Sequence, residues 1–300
     1  MGKVTFLPTL LIPEVYHPYS REQGFYRPLI EKLAADGFYQ AIEVGCDLDQ
    51  QERKTILAVS EEQNWGVTQW LTDMINRENL DVSSVDRSKR QEAVKRIKES
   101  LSLAAECGAA NVAFISGPDP GASLRHEAAE SFYQSLCEIC EEAAQYKLTV
   151  LVEPLDRKAH KKRFLGPTRE AVQLFASIRE SFSNIGFAFD TAHAALNGET
   201  LDEALASAQS LIQQLHFSNA VLQADDDLYG DHHLPIGKPG FLDENEIIRL
   251  LSKVEELELG VEKLRVSIEV RGSDKQLLHE NEQLARTILE RALNETKSCH

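Results

Sequence analysis

Eight short apolar, β-branched runs recur along this 300-residue chain at a spacing of roughly 35 residues, each followed by a turn and a helix-period stretch. The runs are VTFLP (4–8), AIEV (41–44), WGVTQW (65–70), NVAFIS (111–116), TVLVE (149–153), IGFAFD (185–190), LIQQLHFS (211–218) and LRVSIEV (264–270). Several are apolar at nearly every position, as strands covered on both faces should be. Between them, Phe132, Leu136, Ile139 and Ala143 fall at three- and four-residue steps. So do Ala171, Phe175, Ile178 and Phe182, then Val94, Ile97, Leu101 and Ala104, and Ile247, Leu251, Val254 and Leu257. Thr168 and Asp243 precede such stretches as expected N-caps, and the helix over about 49–62 has the faintest periodicity. Strict alternation of eight strands and eight helices predicts an α/β fold, one domain over 1–300, closed as a (β/α)8 TIM barrel. A doubly wound open sheet is the alternative, but no G-x-G-x-x-G follows the first run.

A barrel of this kind does its chemistry at the C-terminal ends of its strands, so the last residues of each run carry the information. Glu153 ends the fifth run and Asp190 the sixth; His216 lies near the end of the seventh and Glu269 near the end of the eighth. Four consecutive strands thus offer three carboxylates and an imidazole at one end of the barrel. Such an oxygen-rich set suits one divalent ion, Mn²⁺ first, then Mg²⁺, Co²⁺ or Zn²⁺. Unpaired charge in these otherwise apolar runs would cost several kcal/mol, which argues against chance placement.

Charge narrows the partners. Asp and Glu number 48 against 32 Lys and Arg, a formal net charge of −16, so nucleic acid is not expected as a partner. No stretch approaches the roughly 18–20 uncharged apolar residues of a membrane helix. The apolar start breaks at Pro13 and Glu14, so no secretory signal is expected, and Phe6 stands where a myristoylation site needs Ser or Thr. Five scattered cysteines (46, 107, 137, 140 and 299) suit free thiols in a reducing, cytoplasmic setting. Cys137-x-x-Cys140 sits within a helical pattern and reads as a packing pair rather than a redox motif.

The segments VEPLDR (152–157), FDTAH (189–193), LHFSN (215–219), HHLPIGKPG (232–240) and IEVRG (268–272) together resemble the xylose-isomerase-like sugar isomerase/epimerase family of TIM barrels. That family includes ketose 3-epimerases, hydroxypyruvate isomerase and inosose dehydratase. The resemblance spans about the C-terminal half. It implies that Glu153, Asp190, His216 and Glu269 hold the metal, that His193 contacts a substrate oxygen, and that His233 belongs to the loop before the last helices. Ketose 3-epimerases typically carry E-x-x-N-R-x-E after the metal Glu; this chain has Asp156 in the Asn position and Ala159 in place of the final Glu.

The expected activity is metal-dependent isomerisation or epimerisation of a small sugar, sugar acid or sugar phosphate. The α-proton next to a metal-polarised carbonyl is removed, with Glu153 and Glu269 as the acid/base pair and an enediolate between the two transfers. The alternative is an inosose-dehydratase-like lyase; an endonuclease or a non-catalytic binding barrel ranks behind both. Such barrels often dimerise or tetramerise, and a homo-oligomer is compatible with this reading, though the sequence does not give the oligomeric state. RKAHKKR (157–163) packs five basic residues into the loop after the fifth strand. It is either a solvated surface or, through Arg157, Lys161 and Lys162 together with Arg271, a grip on a substrate phosphate or carboxylate. Glu43 either orients a substrate hydroxyl or partners a buried Arg or Lys. Trp70 is a core aromatic or a pocket wall, His17 a lesser candidate, and His232 or His233 faces the site. Asp225, Asp226, Asp227 and Asp231 read as a flexible acidic loop outside the metal set.

Overall fold

The apolar runs form eight parallel strands that close on themselves in a computed structural model, which describes residues 4–272 and 274–298. They are β1 (Thr5–Leu11), β2 (Ala41–Val44), β3 (Gly66–Trp70), β4 (Asn111–Ile115), β5 (Thr149–Glu153), β6 (Ile185–Asp190), β7 (Ile212–Val221) and, after the short β8 (Gly230–Leu234), β9 (Lys263–Glu269). Each of β1 to β6 pairs with the next, β6 pairs with β7, β7 with β9, and β9 with β1. The fold is a (β/α)8 barrel. Cys299, expected as a free thiol, lies outside the described residues; Cys46, Cys107, Cys137 and Cys140 are free.

Each barrel strand is followed by a helix whose apolar stripe packs on the outside of the sheet. The helix with the faintest periodicity is present as Gln50–Gln63. Its start is fixed by a capping box: the Asp49 carboxylate accepts from the Glu52 N–H at 2.8 Å and the Glu52 carboxylate accepts from the Asp49 N–H at 3.0 Å. Asp243 caps Glu244–Glu255 as expected. Thr168 does not cap: Pro167 holds that position, and the Thr168 N–H and hydroxyl both donate to Glu199. Cys137 and Cys140 lie within the helix Arg125–Gln145, and among the described residues no helix is long and apolar enough to cross a membrane.

Alternation along the strands sorts the side chains. Val150 and Val152 of β5, Phe187 and Phe189 of β6, Leu215 and Phe217 of β7, and Val266 and Ile268 of β9 all join the large core between sheet and helices. A separate small cluster of Leu11, Trp70, Ala113, Leu151 and Ala188 fills the barrel interior. Glu153, Asp190, His216 and Glu269 share the parity of that interior set, one or two steps nearer the strand ends. Register completes their alignment: Asp190 pairs with His216, and Glu269 with Ser218 two residues further along β7.

β8 departs from the expected pattern. GDHHL is polar and reads as loop, yet it pairs antiparallel with an extension of β7 through Asn219–Leu234 and Val221–Gly230. Asn219 ties down the chain beyond it, donating to the carbonyls of Pro235 and Gly237 at 2.7 Å each and accepting from the Leu242 N–H. Gly240 leaves room for this, because a Cβ there would fall 2.1 Å from Asn219 Oδ1. The HHLPIGKPG segment is therefore a braced hairpin arm over the barrel mouth.

Candidate metal centre

Glu153, Asp190, His216 and Glu269, all buried, each bring one donor atom to within 4.8 Å of the others. Asp190 Oδ1 is occupied by the His193 N–H at 2.9 Å, which caps the helix Thr191–Leu196. Asp190 Oδ2 is buried without a hydrogen-bond partner among the described residues. His216 Nδ1 stands 3.2 Å from Glu269 Oε2 and 3.5 Å from Glu153 Oε1, and among the described residues neither it nor Glu269 Oε2 has a partner in hydrogen-bond geometry. Buried polar atoms facing one another in this way are costly unless a cation joins them, a bound metal ion or, in its absence, the protonated His216 ring. Three carboxylate oxygens and one imidazole nitrogen fit a divalent ion of intermediate hardness.

The support behind His216 explains its orientation. Glu43 Oε2 lies 3.0 Å from His216 Nε2, while Ser267 donates to Glu43 Oε1 at 2.9 Å. The Trp70 indole N–H and the Gln214 amide also donate to Glu43. With its Nε2 proton directed to this carboxylate, the imidazole offers Nδ1 to the centre, the usual arrangement of a carboxylate-backed metal histidine. Glu43 is fully buried beneath His216 and is not among the residues lining the cavity, and no Arg or Lys stands within ion-pair distance of it among the described residues. This placement behind His216 is invisible in the sequence because Glu43, Gln214 and Ser267 meet only across the closed barrel.

A cavity of about 160 Å³ opens over Glu153, His216 and Glu269, walled by Leu11, Trp70, Ile115 and Leu155. Trp70 is thus a pocket wall, its ring 5.3 Å from that of His216. His17 lines the cavity as well. Of the two adjacent histidines, His233 faces in, its Nδ1 3.0 Å from Glu269 Oε1, while His232 is exposed against His160. Asp225, Asp226 and Asp227 are exposed as expected, but Asp231 is not part of a flexible loop. It is fully buried on β8, 3.0 Å from Lys161 Nζ and 3.6 Å from His193 Nε2.

His193 sits between two buried carboxylates, with Nδ1 3.3 Å from Asp156 Oδ2 and Nε2 facing Asp231. Burial alone would lower its basicity, but the charge of Asp190, the bond to Asp156 and the charges of Asp231 and Glu153 together lift its pKa to about 10. Burial would likewise raise Asp156, yet His193 and the N–H groups of His160 and Lys161 hold it at about 2. The sign follows. His193 stabilises the fold fully below its ordinary value of 6.5 and ceases to do so as pH rises through about 10; Asp156 does so above 3.8 and loses its effect as pH falls through about 2. In metal-free protein, NMR of the histidine rings is expected to find His193 still an imidazolium at pH 8, where a free imidazole is neutral. A neutral His193 ring at that pH would refute this charge assignment.

The basic run divides. Arg157 is turned away from the cavity, paired with Glu170 through Nη1 at 2.9 Å and Nη2 at 2.7 Å and bonded to the Phe164 carbonyl. Lys162 is exposed and does not line the cavity. Both corrections have one cause: a cluster in sequence separates in space when the backbone turns at each residue, here with Lys162 at φ 54°. Lys161, Arg163 and Arg271 do reach the cavity, the last bonded to Glu14 at 2.7 Å.

A family model described as a xylose isomerase-like TIM barrel matches residues 30–292. Among solved structures, a D-tagatose 3-epimerase-like protein aligns with a TM-score of 0.68 at 19% identity, over 97% of this chain and 99% of its own. D-psicose 3-epimerase with D-tagatose, from Clostridium cellulolyticum H10, gives 0.68 at 14% identity, over 97% and 98%. The IOLI protein with a binding zinc atom gives 0.70 at 14% identity, over 98% and 99%. At such identities these likenesses speak for the fold. No curated protein matches this chain in sequence.

Proposed function

The chain belongs to the xylose isomerase-like TIM-barrel family, and from that membership we propose that it is a divalent-metal-dependent isomerase or epimerase of a small sugar, sugar acid or sugar phosphate. One observation carries the reading: four buried donor atoms converge within 4.8 Å from four neighbouring strands beneath a cavity. Glu153, Asp190, His216 and Glu269 would hold the ion, with Mn²⁺ as the first choice. When bound, the ion supplies Lewis-acid polarisation of a substrate carbonyl.

The remaining chemistry belongs to the chain. Glu153 and Glu269 reach the cavity from β5 and β9, so their carboxylates can act on one carbon from different sides. Burial first, and then the charge of Glu269, raise the Glu153 carboxyl. Burial would also raise Glu269, but His233 and His216 outweigh it and keep it ionised well below the ordinary range. Environments that push two carboxyl groups apart favour a division of labour. Glu153 and Glu269 form the acid/base pair: one takes the proton from the carbon next to the carbonyl and the other delivers a proton back. Leu11, Trp70, Ile115 and Leu155 exclude water from the exchange. The similarity of the fold to a D-tagatose 3-epimerase-like protein supports a sugar-sized substrate.

Incubation of the Mn²⁺-loaded protein with ketoses, aldoses and their acids and phosphates in ²H₂O tests the proposal. One deuterium gained at the carbon next to the carbonyl, with no water lost, is expected. A dehydrated, ultraviolet-absorbing product would replace the isomerase reading with the lyase one.

A further inference from the structure

We propose that Arg163 is the anion-recognition residue of the cavity and that the substrate is an anionic sugar derivative, its carboxylate or phosphate held at Arg163 while its carbonyl end lies at the four-ligand centre. The proposal rests on the metal-centre reading above and narrows its substrate class.

Four Lys or Arg side chains line the cavity: Arg21, Lys161, Arg163 and Arg271. Three are neutralised by a carboxylate. Arg21 pairs with Asp73, Lys161 with Asp231 at 3.0 Å, and Arg271 with Glu14 at 2.7 Å. Arg163 alone among these four has no carboxylate within 4.0 Å among the described residues. Among the described residues its guanidinium donates only to neutral oxygens, Asn76 Oδ1 and, at 3.5 Å, the Ser116 carbonyl. Burial weakens its hold on the proton, and the more distant Asp81 opposes that only in part. A half-buried guanidinium with five N–H groups and two uncharged contacts has donors left for a planar, bidentate anion.

The backbone presents this group rigidly. The Arg163 N–H donates to the Asp156 carbonyl at 3.1 Å, Phe164 to Gly117 at 2.9 Å, and the Asp119 N–H to the Lys162 carbonyl at 2.9 Å. Pro118 and Arg163 form an antiparallel bridge. Gly117 leaves room at this crossing, since a Cβ would fall 1.7 Å from Asp81 Oδ1 and force that side chain to shift. The departure at Asp156 contributes too, because its carboxylate accepts the His160 and Lys161 N–H groups and so fixes the turn that delivers Arg163. Arg163 and Glu153, His216 and Glu269 share one cavity, so a single small molecule can touch both.

The test is calorimetric, on Mn²⁺-loaded protein, with matched probes: D-fructose 6-phosphate against D-fructose, and D-glucuronate against D-glucose. The expected result is at least a tenfold preference for the anion in one pair, which also identifies phosphate or carboxylate as the group recognised. Arg163→Gln should reduce that preference to about twofold or less, and Arg163→Lys should restore part of it. No preference in either pair, or a preference that survives in Arg163→Gln, overturns the proposal. Should Arg163→Gln fail to fold, Arg163→Lys decides alone, since an undiminished preference there contradicts bidentate recognition. Inorganic phosphate added to metal-free protein separates the two readings. A rise in Tm that Arg163→Gln abolishes, in a protein that binds no Mn²⁺, would sink the metal reading and leave the anion site standing. Mn²⁺ binding without any anion preference would do the reverse.

Discussion

Glu153→Gln will lower turnover about a thousandfold while the protein still takes up one Mn²⁺ per chain. Glutamine keeps the size of the side chain and one oxygen able to face the centre, so the ligand set is weakened but not dismantled. It cannot exchange a proton, which is the role proposed for Glu153 by its place in the cavity opposite Glu269. Excess Mn²⁺ distinguishes the two roles. If Glu153 were a ligand only, saturating the variant with metal would restore activity. Persistent loss at full occupancy, together with loss of solvent deuterium exchange, is the expected outcome. A Glu153→Gln protein that turns over normally once loaded would remove the acid/base assignment and leave Glu153 among the ligands.

Asp190→Asn will separate the metal from the fold. The asparagine oxygen can still accept the His193 N–H, so the N-terminus of Thr191–Leu196 stays capped. What disappears is a buried negative charge. Burial first, and then the neighbouring carboxylates of Glu269, Glu153 and Asp231, push the Asp190 carboxyl well above its ordinary range against the opposing charge of His193. A carboxyl raised by folding costs stability at every pH above its ordinary value, so removing it stabilises the metal-free protein at pH 7 by about 1–3 kcal/mol, several degrees in Tm. The same change should weaken Mn²⁺ binding by more than about a hundredfold. Wild-type protein gains about 2.7 kcal/mol at a hundred times the Kd, and this gain should fall to about 0.4 kcal/mol or less in the variant at the same Mn²⁺ concentration. Differential scanning calorimetry with and without Mn²⁺ reads all three effects. A metal-free variant less stable than wild type would mean that Asp190 is held by interactions other than the clustered charge described above.

Acidity enters the same equilibrium. Burial alone would make His216 a weaker base, but Glu43, Glu153 and Glu269 hold its imidazolium well above the ordinary range in the absence of metal. A ligand that must shed a proton binds metal less tightly in acid. Mn²⁺ affinity should therefore rise as pH increases through neutrality.

Much of the barrel is legible in the sequence because its strands are buried on both faces. TVLVE and IGFAFD stand out as apolar runs whose final residues break the pattern, and those residues are the donors. Parity then extends the reading to His216 and Glu269. The supporting residues are harder to see. Glu43 looks like any acid at a strand end, and its meaning depends on Gln214, Ser267 and Trp70 arriving from other strands. Asp231 follows a run of aspartates and reads as solvated, yet pairing of a polar strand with β7 buries it completely. The basic run misleads for the opposite reason. Its charges are adjacent in sequence, but which of them is free is decided by distant counter-charges, Glu170 for Arg157 and Asp231 for Lys161. Arg163 carries no mark in the sequence beyond its place in that run.

The most direct measurement is the anomalous difference density of a crystal soaked in Mn²⁺. One peak is predicted, with one donor atom each from Glu153, Asp190, His216 and Glu269 at about 2.0–2.5 Å. A fully occupied peak elsewhere, for instance among Glu14, His233 and Glu269, which also approach one another within 4.8 Å, or no peak at a concentration that saturates binding in solution, would contradict the four-ligand centre.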